Sequence, residues 1–132
     1  MSSQTKRLER LITEKNGGCC DSDIEERLGS LRSHHSEVPA DSDADLTALK
    51  TLGSETRYDI VRLLEAANRE LCVCEINPIV EVSGSAVSHA LSDLYDAGLV
   101  TRRKDGTWRY YETTNRAEAL LKVLDETREG DR

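Results

Sequence analysis

The chain has 132 residues, 37% of them hydrophobic and 33% charged, with one Trp, one Met and no Phe. This length is enough for one domain with a modest core, and so lean a core favours a dimer. No apolar run reaches the roughly 20 residues that cross a bilayer. The N-terminus, Met1-Ser2-Ser3-Gln4, does not resemble a signal peptide. We therefore expect a cytoplasmic protein without a membrane partner.

The net charge is −7, which by itself argues against a nucleic-acid binder. The distribution of charge changes this view, because residues 99–111 alone sum to +3 and the rest of the chain is acidic. Arg outnumbers Lys 13 to 5. An acidic, Lys-poor surface fits either a salt-rich cytoplasm or an ordinary acidic bacterial or archaeal protein.

Residues 1–44 are predicted to form an N-terminal helical arm and a linker. Apolar residues share one face of a helix over 4–15, which Gly17-Gly18 ends. Ser22-Asp23-Ile24-Glu25 matches a capping box and predicts a second helix. Residues 33–43 are polar and predict the linker.

Residues 45–128 are predicted to form a single DNA-binding and dimerisation domain. Apolar periodicity and turn signals predict helices over 46–52, from Ser54, over 72–82, 85–97 and 115–128, and strands over 99–103 and 107–111. Pro78 weakens the third of these helices and Gly98 ends the fourth. The fold class is thus mainly α with a β-hairpin wing, a winged helix-turn-helix that forms a homodimer.

The predicted hairpin carries the basic residues. A two-residue turn at Asp105-Gly106 would place Arg102 opposite Arg109 and Arg103 opposite Trp108. Facing cations cost about 0.2–1 kcal/mol, which a DNA phosphate over that face would offset. Arg103 over Trp108 would form a cation–π pair. The alternative is a solvated hairpin whose arginines contact only water.

The outer face of the helix over 85–97 carries small side chains near its N-terminus, which would let it enter the major groove of double-stranded DNA. Since this face has no Arg or Asn, base readout should be modest and the wing should supply phosphate affinity. The alternative for the histidine is a merely exposed residue. The predicted DNA contacts are Gly84, Ser85, Ala86, Ser88, His89, Arg102, Arg103, Lys104 and Arg109.

The four cysteines form two close pairs, Cys19-Cys20 and Cys72-Val73-Cys74. Thiols stay reduced in the cytoplasm, so close pairs indicate metal-binding or redox-active groups rather than structural disulfides. On a regular helix Cys72 and Cys74 would point about 200° apart. Chelation of one ion would then require a distorted helix start, which Pro78 would favour. Such a distortion would reach the helix over 85–97, which we call the recognition helix because it would enter the DNA groove. It could therefore act as a switch between DNA-binding states.

Together these features resemble the ArsR/SmtB family of metal-responsive repressors over about residues 45–125. The motifs that carry the resemblance are Leu52-Gly53-Ser54-Glu55-Thr56-Arg57, Glu70-Leu71-Cys72-Val73-Cys74-Glu75, and the segments 83–94, 97–100 and 102–111. The resemblance implies a homodimer built on the first and last helices of the domain. It also implies that the dimer binds an imperfect inverted repeat in operator DNA and releases it when ligand binds, with Cys72 and Cys74 as sensor thiols.

The chain departs from the family pattern in three places. Asn77 stands where some arsenic sensors have a third helix thiolate. The usual Ser-x-His-Leu becomes Ser88-His89-Ala90-Leu91, with the histidine one place early. The last helix has no His and only scattered acids, so the family's other zinc site, between the two C-terminal helices, is not expected.

Two thiols are too few for a tight site, and Cys19-Cys20 can supply the missing ligands. Related sensors bring an arm of one subunit to the cysteine box of the other. Three thiolates around As(III) or Sb(III) are the favoured set, and four around Cd(II), Pb(II) or Zn(II) are the alternative. A thiol redox switch, with a disulfide between the two cysteine pairs, is a further alternative. No nucleophile–base arrangement or phosphate loop indicates an enzyme.

Overall fold

A computed structural model describes residues 3–18 and 21–129 of the chain. The chain divides into two compact units, Met1–Asp41 and Ser42–Arg132. Within the described ranges no helix is both long and apolar enough to cross a membrane. Cys19 and Cys20, which the sequence singles out as ligands, lie outside the described residues.

The described residues of the first unit form two helices, α1 (Ser3–Asn16) and α2 (Asp21–His35). They contact each other, and Ile12 and Ile24 are their buried side chains. Because α2 already begins at Asp21, Ser22 lies inside its first turn and the predicted capping box is wrong. The predicted linker also begins too early, since α2 continues to His35. Basic residues in its last turn stabilise the negative end of the helix, which a prediction from apolar spacing overlooks.

The second unit is a winged helix-turn-helix, which confirms the predicted fold class. In chain order it contains α3 (Asp43–Leu52), α4 (Glu55–Ala67), β1 (Leu71–Cys72), α5 (Val73–Ile76), α6 (Gly84–Asp96), β2 (Val100–Asp105), β3 (Trp108–Thr113) and α7 (Asn115–Thr127). The three strands form an antiparallel sheet in the order β1-β3-β2. β2 and β3 form the wing.

Helices α4 and α6 contribute seven of the seventeen buried core residues, through their predicted apolar faces. The buried side chains of these two helices are Ile60, Val61, Leu64, Val87, Ala90, Leu91 and Leu94. Apolar spacing over 115–128 predicts a core-facing stripe of Leu120, Leu121, Val123 and Leu124. Only Leu121 of this stripe is fully buried, whereas Val123 is 56% and Leu124 43% exposed. Leu46 and Leu49 of α3 are likewise 60% and 61% exposed. The first and last helices of the unit therefore each leave apolar surface uncovered within one chain.

The predicted helix over 72–82 is wrong. The structure has the two-residue strand β1, then the single helical turn α5, and the chain continues through turns and bends to the start of α6. Leu71 and Cys72 pair with Tyr111 and Tyr110 of β3, so their backbone is extended rather than helical. Pro78 lies just beyond α5, where its ring prevents the helix from continuing.

The predicted turn of the wing is displaced by one residue. Gly106 and Thr107 form the turn, and Gly106 has φ +64°. Glycine at the first central position is typical of a type II′ hairpin turn, whereas the prediction placed it second. The cross-strand pairs are therefore Arg102 with Tyr111, Arg103 with Tyr110, Lys104 with Arg109, and Asp105 with Trp108.

Candidate metal centre and nucleic-acid interface

The thiols of Cys72 and Cys74 converge. Cys72 is the N-cap of α5, with extended backbone angles (φ −72°, ψ 146°), and its Sγ accepts a hydrogen bond from the backbone N–H of Cys74 at 3.3 Å. The two Sγ atoms are 2.6 Å apart. The prediction that the thiols diverge is wrong, because Cys72 precedes the helix rather than lying within it. The pair can therefore hold one ion without a distorted helix.

Charged neighbours fix the backbone of this cysteine box, residues 70–75. The carboxylate of Glu75 accepts a hydrogen bond from the Cys72 backbone N–H at 2.9 Å and another from Arg69 at 2.8 Å. The Arg69 guanidinium lowers the pKa of Glu75, so this carboxylate stays ionised at neutral pH. The box is thus capped on both sides, in the manner of a Ser-x-x-Glu capping box with a thiol in place of the hydroxyl.

The two thiols differ in accessibility and in protonation. Cys72 is buried and Cys74 is exposed. The hydrogen bond that the Cys74 thiol donates to Cys72 raises the pKa of Cys74 above its usual value. Cys74 therefore remains protonated at neutral pH, and an ion that binds both sulfurs must displace its proton.

The cysteine box opens into a cleft of about 380 Å³, which we call the thiol cleft. Its walls come from three parts of the second unit: the box itself, the α6 side that carries Ser88 and Ser92, and the wing. Trp108 and Arg109 of β3 lie on the wing side. The predicted sensor thiols and three of the predicted DNA contacts, Ser88, Arg102 and Arg109, therefore line the same space.

The predicted contacts on α6 divide into exposed and partly covered residues. Ser85, Ser88 and His89 are exposed and, with Ser92, line a shallow groove of about 270 Å³. Ala86 is half-buried and so is a weaker candidate. A Cβ at Gly84 would meet nothing closer than Asn77 Nδ2 at 3.9 Å, so intramolecular packing does not require glycine there.

Three of the predicted wing cations converge on one side of the hairpin. Arg102, Lys104 and Arg109 line a cavity of about 350 Å³, and we call them the cationic face. The Arg102 guanidinium lies 4.0 Å from the centroid of the Tyr95 ring. Among the described residues, neither Lys104 nor Arg109 forms an ion pair with a carboxylate. The two cations that face each other across the hairpin are Lys104 and Arg109, rather than Arg102 and Arg109 as predicted. An anion such as a DNA phosphate would offset the repulsion between them.

The fourth wing cation, Arg103, is engaged within the protein. Its Nη2 lies 2.6 Å from Oε1 of Glu70, at the start of the cysteine box. Its guanidinium also stacks on Tyr110 at 4.6 Å, so the predicted stacking on Trp108 is wrong. Arg103 lowers the pKa of Glu70, which stays ionised and paired at neutral pH. This ion pair is not predictable from the sequence, because it depends on strand β1, which apolar periodicity does not predict.

The structure brings Cys72 and Cys74 together but does not describe a complete ligand set. Within 3–18 and 21–129 there is no group of three or more His, Cys, Asp or Glu side chains placed to hold a metal. His34 and His35 are exposed at the end of α2 in the first unit.

The topology, the exposed recognition helix and the cationic face together define a winged helix-turn-helix DNA-binding protein. Residues 54–102 match the family model described as bacterial regulatory protein, arsR family. A protein of Halobacterium salinarum named as arsenical resistance operon repressor ArsR is 49% identical, over 96% of this chain and 98% of its own. The chain therefore belongs to the ArsR family of DNA-binding transcriptional repressors, and the resemblance seen in the sequence is confirmed.

One further sequence relative and one solved structure are also similar to this chain. A second Halobacterium salinarum protein, named as arsenical resistance operon repressor ArsR2, is 54% identical over 67% of this chain and 76% of its own. A homodimeric winged helix-turn-helix DNA-binding domain from Mycobacterium bovis, solved by NMR, has a TM-score of 0.57 and 28% identity. That similarity covers 67% of this chain and 83% of the mycobacterial one.

Proposed function

We propose that the protein is a cytoplasmic repressor that binds operator DNA as a dimer and is released when cysteine thiolates coordinate As(III) or Sb(III). The observation that carries this proposal is the 2.6 Å approach of the Cys72 and Cys74 sulfur atoms. Soft, thiophilic ions prefer such ligands. The names of the Halobacterium relatives as arsenical resistance repressors support the same choice.

The second subunit covers the apolar surface of α3 and α7. Leu46 and Leu49 on α3, and Val123 and Leu124 on α7, are largely exposed in a single chain. Asp45 and Arg116 join these helices through an ion pair of 2.6 Å, so the two surfaces can act as one. Burial of a leucine side chain contributes about 1.5–3 kcal/mol. The homodimeric mycobacterial neighbour supports this assembly.

The dimer presents two copies of α6 to successive major grooves. Helix-turn-helix dimers bind half-sites one helical turn apart, about 34–36 Å. Ser85, Ser88 and His89 are exposed where the helix would enter the groove. The cationic face of the wing supplies phosphate contacts, which position the protein and make its affinity depend on salt.

Cys19 and Cys20 complete the ligand set in this proposal. Three thiolates around As(III) or Sb(III) need at least one sulfur beyond Cys72 and Cys74, and the chain has no other cysteines. Four thiolates would instead suit Cd(II), Pb(II) or Zn(II). The number of sulfur neighbours, measured by X-ray absorption at the arsenic edge on wild type and a Cys19→Ser/Cys20→Ser variant, separates these ligand sets.

Coordination is coupled to the wing through the backbone of the cysteine box. Cys72 pairs with Tyr110 of β3, and Glu70 holds Arg103 of β2. An ion that engages the Cys72 sulfur competes with its capping hydrogen bond from Cys74 and displaces this strand. Allosteric coupling is typically about 1–3 kcal/mol, so release corresponds to a roughly 5- to 150-fold loss of operator affinity.

The test is a Cys72→Ser variant of the full chain, measured for operator binding by fluorescence anisotropy in reducing buffer with and without arsenite. Serine keeps the N-cap, so the fold and operator affinity should be retained while release by arsenite is lost. A Ser92→Ala variant is the control for a substitution in the same cleft and should still respond. Release of the Cys72→Ser variant by arsenite would show that the site is misassigned.

The close approach of the two sulfurs also favours a second candidate, a thiol redox switch that responds to an oxidant such as a peroxide. Arsenite added under full reduction distinguishes the two functions. A redox switch would stay on DNA under that condition, and the proposed metalloid sensor would leave it.

A further inference from the structure

We infer that Arg57 is a positioning residue, which fixes the orientation of the recognition helix α6 relative to α3, one of the two helices of the proposed dimer interface. This inference rests on the proposed binding of operator DNA as a dimer, and it names the residue that sets the geometry of the two recognition helices. Arg57 ends the motif Leu52-Gly53-Ser54-Glu55-Thr56-Arg57 and does not line the thiol cleft. The coordination of an ion by the thiols gives this residue no role.

Arg57 joins three helices through two hydrogen bonds that point in different directions. It lies in the first turn of α4, and its Nε donates to the backbone carbonyl of Thr51 in the last turn of α3 at 2.8 Å. Its Nη1 donates to Oδ2 of Asp93 on α6 at 3.2 Å. Among the ion pairs of the described residues, it alone connects α6 to another part of the fold.

The environment of the Arg57 guanidinium makes these bonds stronger than those of an ordinary surface pair. The Thr51 carbonyl is at the end of α3, where carbonyls lack partners within the helix and carry its negative partial charge. The N–H of Ser54 reaches the same carbonyl only at 3.5 Å. The Arg57 side chain is 26% exposed, so solvent and salt screen it less than a fully exposed cation.

The position of Asp93 on α6 lets this pair control which side of the helix faces DNA. Asp93 lies one turn after His89, and residues four apart share a helix face. The apolar contacts of α6 with α3 and α4 bury its other side but have no direction, so they tolerate a turn of the helix about its axis. A hydrogen bond to Asp93 does not tolerate that turn. Arg57 therefore fixes the rotation of the face that carries Ser88 and His89.

This rotation matters because a dimer binds two half-sites at once. In the proposed dimer Leu46 and Leu49 place α3 at the interface, so a fixed angle between α3 and α6 also fixes the two recognition helices relative to each other. One base pair added between the half-sites moves the second by about 3.4 Å and turns it by roughly 35°. A rigid link from α3 to α6 therefore produces a preference for one spacing.

The test compares DNA duplexes that differ only in the spacing of the half-sites. The probe is an inverted repeat that the full-length wild-type protein selects from random-sequence DNA, together with versions whose spacer is one base pair longer or shorter. Wild type should prefer its selected spacing at least about tenfold, and the Arg57→Ala variant about threefold or less, by fluorescence anisotropy. Every duplex contains both half-sites, so a general loss of charge or stability cancels in this ratio.

Three variants separate positioning from a merely structural role. Arg62→Ala is the matched control, because Arg62 is also on α4 and is 22% exposed but pairs with Asp125 of α7. It should lower the thermal midpoint of unfolding and keep the spacing preference. Arg57→Lys should not restore the preference, since an ammonium group lacks the fork that serves two directions. Asp93→Asn added to Arg57→Ala should cause no further loss, as expected for two residues of one interaction.

A measurement without DNA tests the same link directly. A spin label attached to a keto amino acid in place of Asp96, which is exposed at the end of α6, reports the distance between the two recognition helices of the free dimer. Pulsed electron paramagnetic resonance should give a distribution at least about twice as broad for Arg57→Ala as for wild type. The Arg62→Ala distribution should match that of wild type.

The outcomes distinguish this inference from the proposed function. If wild type prefers one spacing and Arg57→Ala keeps both that preference and a narrow distance distribution, the inference is overturned and dimeric operator binding stands. If wild type selects no inverted repeat but Arg57→Ala broadens the distribution, the inference stands and the proposed binding is wrong. Equal changes for Arg57→Ala and Arg62→Ala would also overturn the inference.

Discussion

The two sides of the wing carry similar residues and have different physical roles. On one side Arg102, Lys104 and Arg109 converge on an open cavity, and the latter two have no carboxylate partner in the described chain. On the other side Arg103 is held by Glu70 and stacks on Tyr110. The first arrangement leaves charge available for an anion, and the second uses charge to attach the wing to the cysteine box. Cations counted along a strand therefore overstate the number available to DNA.

The largest expected effect comes from removing the cationic face. Lys104→Ala/Arg109→Ala should lower operator affinity about a hundredfold and reduce the slope of log K against log salt by about 1.8, because two phosphate contacts are lost. The measurement is anisotropy at several salt concentrations. Arg103→Ala is the control from the other side of the wing and should change the slope little. Equal slopes for the two variants would remove the distinction between the faces.

A smaller effect is expected from the aromatic support of Arg102. Tyr95→Leu removes the ring that lies 4.0 Å from the guanidinium, and such contacts contribute about 0.5–1 kcal/mol at exposed sites. Operator affinity should fall about two- to fivefold. Tyr110→Leu, which removes the ring under Arg103, should instead lower the thermal midpoint of unfolding with little effect on DNA binding. The reverse pattern would contradict the assignment of the two faces.

The smallest effect concerns the pair between Glu70 and Arg103. Arg103 lowers the pKa of Glu70 below its ordinary value of 4.5, so the pair stabilises the fold fully above that value and is lost as pH falls through the lowered pKa. Glu70→Gln should lower the unfolding midpoint at pH 7, and the difference from wild type should vanish in acid. Because both groups are exposed, the change is small.

A glutamate elsewhere on the wing is the control for this prediction. Glu112→Gln changes an exposed residue of β3 that forms no ion pair among the described residues. At neutral and at acid pH alike, the Glu112→Gln variant should unfold at the same midpoint as the wild type. A difference for Glu70→Gln that persisted in acid would show that packing, rather than the ion pair, is responsible.

The sequence predicts long periodic elements well. The apolar spacing of α4 and α6 places their buried residues correctly, because a 3.6-residue period repeated over three turns has few alternatives. In α7 the same spacing predicts four core residues and the fold of one chain buries only Leu121 completely. Periodicity identifies an apolar face but does not state whether the same chain or a second one covers it.

The errors in the candidate site come from short elements. β1 has two residues, too few for any period, and it exists because β3 offers hydrogen bonds at Tyr110 and Tyr111, which are 38 and 40 positions beyond their partners Cys72 and Leu71. The thiols converge only because this strand keeps Cys72 extended. One local signal was present: Cys72 and Glu75 have the three-residue spacing of a capping box. The predicted hairpin register was wrong because it depended on the position of Gly106 in the turn. Glycine fits either central position of a two-residue hairpin turn.

The thiol cleft has a kinetic consequence under the proposed function, since its walls include both sulfur atoms and three predicted DNA contacts, Ser88, Arg102 and Arg109. Under the proposed function we expect operator DNA to shield these thiols, so that the metalloid coordinates them mainly in protein that has left the operator and then lowers its affinity for rebinding. The rate of induction would then depend on the residence time of the repressor on DNA rather than on the concentration of As(III) or Sb(III). Alkylation of Cys74 by iodoacetamide should accordingly slow when operator is present.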